Sequence, residues 1–365
     1  MIEQLTKKIY SITSVYQKHQ SYGDATFFVG GFLFDLTTLD KIEGTNLLQQ
    51  GLFLVLLSLF IFFDVMFIHK KIEIPEKYIK FWKYRNEFGH FIFGSLLSAY
   101  TIFFFKSASI STSLSFLIGL VFLLVLNEFP KFKKQGHSIR ILLFNFCLIA
   151  FLIYLVPIFF GRLGTDVFIV SIFSSQIYFA SFLWIWRKYH ISHDFLKKQF
   201  LFSIFVHIAI VILFFSNSLP PVPVSIRFIG IYHDIKKSND KYELLYDRPF
   251  WKFWQSGDQS FFAQPGDKIV CFAKIHSPTH FNDEVFFKWE LFTEKFGWQT
   301  QDYIQMNILG GRKKGYRGFT TKSNYQPGHW RIKLETSDHR EIGRIDFQVI
   351  KEDSQSDRKF KSEIF

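Results

Sequence analysis

Cysteine is nearly absent from this chain, with two in 365 residues. Cys147 lies inside a long apolar run and Cys271 inside an alternating stretch, so the two sit in different solvents and do not pair. That excludes a disulfide framework and a thiolate metal site. Catalytic signatures are missing as well. No HExxH, GxSxG, Walker loop or GxGxxG occurs anywhere, so no named chemistry is written into the sequence. Residues 1–24 are polar and amphipathic, without an early apolar core, and a cleavable signal peptide is not expected. A helix with clustered Arg and Lys is also lacking, and nucleic acid is not expected as a partner.

Phenylalanine, by contrast, is abundant. There are 50, and apolar residues reach 48% while charged residues hold 20%. A chain both greasy and charged must segregate the two kinds, and its length fits about two domains. The change of solvent falls between Gln199 and Pro223. From Phe200 to Phe215 the only ionisable side chain is His207, and Pro220, Pro221 and Pro223 then forbid further helix. Before this joint the chain reads as membrane, and after it as a water-soluble β domain.

In the first part, Ile2, Leu5, Ile9, Ile12 and Tyr16 recur at helical spacing, which predicts an amphipathic interfacial helix over 1–24. Residues 27–44 predict a short or re-entrant segment, because the apolar run stops at Asp35. Six fuller spans follow at 47–68, 89–105, 109–127, 139–160, 165–186 and 199–218. The loops between them are uneven in charge. Three alternate loops hold fourteen Lys and Arg, and the other two hold only Lys106 and Arg162. Basic loops stay in the cytoplasm, so the sixth span leads outward. Trp184, Trp186 and Tyr189 beside Arg187 and Lys188 fit an aromatic belt at the inner face. Gly94, Ser95, Ser98 and Ala99 are small residues at the spacing that lets helices approach.

Residues 219–223 predict a proline linker, 224–350 a β domain, and 351–365 a frayed charged tail. In the β domain period two takes over. Val285, Phe287, Trp289 and Leu291 alternate with Lys288 and Glu290. Trp330, Ile332 and Leu334 alternate with Arg331 and Lys333, and Ile345, Phe347 and Val349 with Asp346 and Gln348. Ile269, Cys271, Ala273 and Ile275 form a further strand. About seven such strands predict an antiparallel, immunoglobulin-like sandwich with Trp289 and Trp330 in its core. Residues 224–350 are expected to fold without the membrane half, and the short linker predicts that they ride close to the bilayer surface.

The run GYRGFTTKSNYQPGHWRIKLETSDHREIGRIDFQV, residues 315–349, resembles the end of the bacterial domain-of-unknown-function family 2914. GGFLFDLTTLDKIEG (30–44), FGSLLSAYTIFFFKSAS (93–109) and VLNEFPKF (125–132) are similar to the membrane part of its longer members. The resemblance implies a polytopic membrane part followed by a small β domain. It carries no activity, cofactor or catalytic residue.

Ionisable groups inside lipid are costly and raise a functional question. Asp35, Asp40 and His207 are the candidates for a path through the membrane; the plainer readings are interface anchors and a hydrogen-bonded histidine. Asp64 is expected to pair with Lys70 or Lys71. His190, His193 and Asp194 have the spacing of metal ligands, but no fourth ligand is evident, and neither a metal nor a cofactor is expected. Trp251, Trp254 and Trp298 are free to form an exposed platform for a glycan or peptide. These readings predict a non-enzymatic, multi-pass inner-membrane protein that presents its sandwich outside the cytoplasm to an envelope protein or glycan. The alternative is a transporter or channel for a small solute or ion, using the helical bundle. A third reading, an enzyme acting on lipid or envelope polymers, lacks a paired nucleophile and base.

Overall fold

The computed structural model describes residues 30–39, 45–128, 136–238, 241–278, 281–309, 315–352 and 358–365. The amphipathic segment expected over 1–24 and the residue Asp40 lie outside the described residues. Residues 30–38 are helical. Seven helices follow: α1 Thr45–Ile68, α2 Glu76–Trp82, α3 Arg85–Ser107, α4 Ile110–Glu128, α5 His137–Phe160, α6 Thr165–Lys188 and α7 His193–Phe215. All except α2 are long and apolar enough to cross a membrane.

Three of these helices end alike, without glycine. Lys70, His190 and Asn217 take positive φ angles of 54°, 55° and 56° just past α1, α6 and α7. At α6 the His190 amide donates to Arg187 O at 3.0 Å and the Ile191 amide to Trp186 O at 3.1 Å. The same pair of bonds closes α1 and α7, which is the Schellman closure of otherwise orphaned carbonyls. His190 is therefore a helix stop. Trp186, expected in the interfacial belt, is instead fully buried, stacked on Phe62 and edge-on to Phe182 and Phe195.

The chain divides into two compact units. One comprises Met1–Ile102, Ile118–Phe151 and Tyr178–Val206; the other comprises Phe103–Leu117, Leu152–Ile177 and His207–Phe365. The second therefore contains the α3–α4 and α5–α6 turns and the end of α7 together with the whole β domain.

Among the described residues, eleven strands form three sheets. They are β1 Ser225–Tyr232, β2 Asp234–Ser238, β3 Lys241–Tyr246, β4 Ser260–Ala263, β5 Ile269–His276, β6 Asn282–Thr293, β7 Gly297–Leu309, β8 Tyr316–Lys322, β9 Gly328–Thr336, β10 Glu341–Lys351 and β11 Lys361–Ile364. The sheet orders are β1-β5-β8, β4-β10-β9-β6-β7 and β11-β3-β2. The first two face each other across the main core. β5 supplies Ile269, Cys271, Ala273 and Ile275 to it, and the five-stranded sheet supplies Val285, Phe287, Trp289, Trp330, Ile332 and Phe347. The opposite face of β5 carries Val270 and Phe272, which the third sheet covers through Leu244 with Phe365 packed alongside. An antiparallel immunoglobulin-like sandwich thus gains a third layer. Between the named strands its pairing is antiparallel except where β4 runs parallel to β10.

A further expectation needs correction. The tail is not frayed at its end: β11 pairs with β3, and Arg358 binds Asp267 Oδ2 at 2.8 Å. The proline linker expected at 219–223 is itself packed, since every residue from Leu219 to Val224 is buried. Leu163, from the α5–α6 turn, lies within the sandwich core itself.

Candidate functional site

In the helical part of the chain Asp35, His207 and Asp64 have local partners. Ser98 Oγ donates to Asp35 Oδ2 at 2.6 Å, tying the 30–38 helix to α3. His207 is buried, with Nε2 at 2.6 Å from Ser175 Oγ of α6. Asp64 is not held by the lysines that follow it. Its Oδ1 accepts from Arg85 Nε at 3.3 Å, and its Oδ2 meets Arg140 Nη1 at 3.2 Å and His137 Nδ1 at 3.0 Å. Arg140 then donates to Asn86 Oδ1 at 2.8 Å. A carboxylate and two guanidiniums from α1, α3 and α5 satisfy one another, an arrangement that fixes helix ends in register. Sequence spacing hides it, because the partners lie far apart along the chain. Among the described residues no three His, Cys, Asp or Glu side chains gather as a metal site would require.

In the β domain Trp289 and Trp330 are fully buried, with ring centroids 6.4 Å apart at 77°. A polar cluster missed by sequence reading sits at the start of β2. His233 stacks on Phe261, with Nε2 3.5 Å from Asp258 and Nδ1 3.3 Å from Arg358. Burial, aided by Arg358, pushes the imidazole down to about 4, with Asp267 opposing. Burial pushes the Asp258 carboxyl up to about 6, against the amides of Asp247 and Arg248. His233, Asp258 and Arg358 are all buried, so the cluster reads as a clamp on the chain end.

The exposed chemistry lies elsewhere, and strand register locates it. At one end of the sandwich the Asn282 amide, opening β6, donates to Gly161 O at 2.7 Å. The Leu163 amide donates to Asp283 Oδ2 at 2.8 Å. Ser109 Oγ donates to Glu341, where β10 begins, and Arg340 lies 4.7 Å over the Phe214 ring at the end of α7. This end of the sandwich is therefore seated on the α3–α4 and α5–α6 turns. β6 is twelve residues long and leads roughly 40 Å away from them.

The opposite pole carries the aromatic residues. In the loop between β3 and β4, Phe250, Trp251, Phe253 and Trp254 are 86%, 54%, 81% and 62% exposed. Burying none of four large rings in five residues leaves a patch that water disfavours, and such patches mark interaction sites. The loop runs straight into an open trough of about 550 Å³, lined by Gln255, Gln259, Trp298, His329, Asp346 and Gln348. Trp298 holds Arg331 over its ring at 3.9 Å and Phe292 edge-on at 5.3 Å. Arg331 also binds Asp346 at 2.6 Å, so its charge is matched. Of the three exposed-platform candidates in the sequence, Trp251 and Trp254 are open to solvent and Trp298 lines the trough.

Residues 282–349 match the model of a protein family of unknown function, DUF2914. The curated proteins offer no match. Among solved structures, an immunoglobulin-like protein from Pseudomonas aeruginosa aligns at 12% identity and TM-score 0.22, over 35% of this chain and 98% of that one. A β-glucosidase from Listeria innocua in complex with glucose aligns at 10% identity and TM-score 0.18, over 33% of this chain and only 16% of that one. The alkylpurine DNA glycosylase AlkC of Pseudomonas fluorescens, bound to DNA with an abasic site analog, aligns at 6% identity and TM-score 0.19 over 73% and 70%. Scores this low carry no chemistry across. The similarity to DUF2914 is confined to the segment that carries β6 to β10.

Proposed function

We propose that the chain is a multi-pass inner-membrane protein that holds its β-sandwich outside the cytoplasm, where the pole remote from the helix turns binds a component of the envelope. The reading rests chiefly on the exposed loop Phe250–Trp254. Four aromatic side chains left in water oppose stability unless something covers them. The pole faces away from the turns that seat the domain, so its own bilayer does not cover it. Orientation follows from charge: fourteen Lys and Arg lie in the three loops on one side and two in the loops on the other. The sandwich is attached on the side with two.

The reading is tested with the full chain in lipid nanodiscs, mixed with washed, insoluble envelope material. The parent protein is expected to sediment with it, and the pair Trp251→Ser and Trp254→Ser to stay in solution. Equal sedimentation of the two proteins, at equal thermal stability, overturns the reading.

A further inference from the structure

We infer that the trough at this pole takes a neutral, chain-like glycan, laid across the outer face of the five-stranded sheet. The inference rests on the pole being a binding surface and names what binds there. Register supplies the first argument. Trp298 on β7 stands opposite Phe292 on β6, His329 on β9 opposite Gln348 on β10, and Gln348 beside Ser260 at the start of β4, with Gln259 just before it. The row therefore crosses the whole sheet order β7-β6-β9-β10-β4, a width of roughly 19 Å at the usual strand spacing. An open trough of that width suits an extended ligand better than a single small molecule.

The side chains say which kind of chain. Gln255, Gln259 and Gln348 each present a donor and an acceptor together, and a hydroxyl is likewise both. Gln259 is held in place, since its Nε2 donates to Asp346 O at 3.2 Å and its carbonyl accepts from the Gln348 amide at 2.8 Å. Trp298 adds a flat apolar surface, and the Phe250–Trp254 loop extends the row with more. Aromatic faces beside amide groups match a sugar ring, which has apolar faces and a hydroxylated rim.

Charge and geometry disfavour the rivals. A polyanion needs unmatched Lys or Arg. Arg331 is already engaged by Asp346 and Trp298. An extended peptide gains most of its affinity by adding main-chain bonds at a sheet edge. This row runs over side chains across the face.

The test uses the full chain in nanodiscs and titrates cellohexaose, chitohexaose, heparin and an uncharged extended peptide, followed by tryptophan fluorescence and calorimetry. Saturable binding of a neutral hexasaccharide is expected. Trp298→Ala and the exposed Gln348→Ala should each weaken it about tenfold, the loss of one well-made contact. Phe319→Ser, an exposed ring on β8 in another sheet, should leave it unchanged. Failure of both neutral sugars to bind, or binding indifferent to Trp298 and Gln348, overturns the inference. Heparin or peptide binding that needs Trp298 overturns it as well, while leaving the pole as the binding surface. A change of oligomeric state with Trp298→Ala assigns the trough to a second copy and overturns it too. If envelope sedimentation persists without sugar binding, the glycan assignment alone falls; if both are lost, the pole reading falls with it.

Discussion

At the scale of single residues, the His233 cluster makes a prediction whose sign can be worked out. The fold lowers the imidazole to about 4, so it prefers the neutral form. That contribution is complete above about pH 6.5 and is lost as pH falls toward 4. Asp258 has the opposite sign, because its carboxyl is raised to about 6. It favours the fold below about pH 4 and opposes it as pH rises through 6. The two slopes offset each other in the parent protein. In Asp258→Asn the His233 slope is unopposed within the pair, and chemical denaturation should show a loss of roughly 2–3 kcal/mol between pH 6.5 and pH 4 relative to the double variant that also carries His233→Gln. A loss of the same size in the double variant would assign the titration to another group. None of this was legible in the sequence. His233, Asp258, Asp267 and Arg358 lie up to 125 positions apart, and only the fold collects them. The same is true of Asp64, whose guanidinium partners come from two other helices.

At the scale of elements, patterning read the long pieces well and the short ones poorly. Runs of apolar residues mark the six long helices, and period two marks β5, β6, β9 and β10, because burial acts on many residues at once. β2 carries charge on both faces, and β2, β3 and β11 are only four to six residues long, so little local signal marks them. One clue existed. Val270 and Phe272 make the second face of β5 apolar too, which only a third layer can bury. The tail strand closes that layer: the Phe365 amide and carbonyl both bond to Tyr242, and Tyr232 donates to Glu363 at 3.0 Å. Deleting residues 358–365 removes Phe365 from the side of Phe272 and leaves His233 without Arg358. A loss of at least about 3 kcal/mol in denaturant is expected, given one large apolar side chain exposed and one buried ion pair broken. A truncated chain with unchanged stability would restore the tail to the status of an unstructured end.

At the scale of the whole molecule, charge counting predicts which side each loop faces, but nothing in the sequence reveals that the sandwich is seated on helix turns. A short proline segment reads only as a linker that keeps the β domain near the bilayer. In the structure that segment is buried, Leu163 enters the sandwich core, and Arg340 covers Phe214. These contacts fix the face of the sandwich that meets the turns, so the pole with Trp254 and Trp298 points the other way. Orientation in the bilayer then decides which compartment that pole samples. Both native cysteines are fully buried, which makes the chain a silent background for a membrane-impermeant maleimide. Ser323, beyond β8, and Lys71, beyond α1, are exposed and belong to the two opposite classes of segment. Ser323→Cys should label in intact cells, and Lys71→Cys only after the membrane is opened. Both substitutions sit on the surface and touch no core, so protein level should not change. The reverse pattern would put the sandwich in the cytoplasm. It would leave fourteen basic loop residues on the wrong side and remove the envelope as the source of whatever covers Phe250 to Trp254.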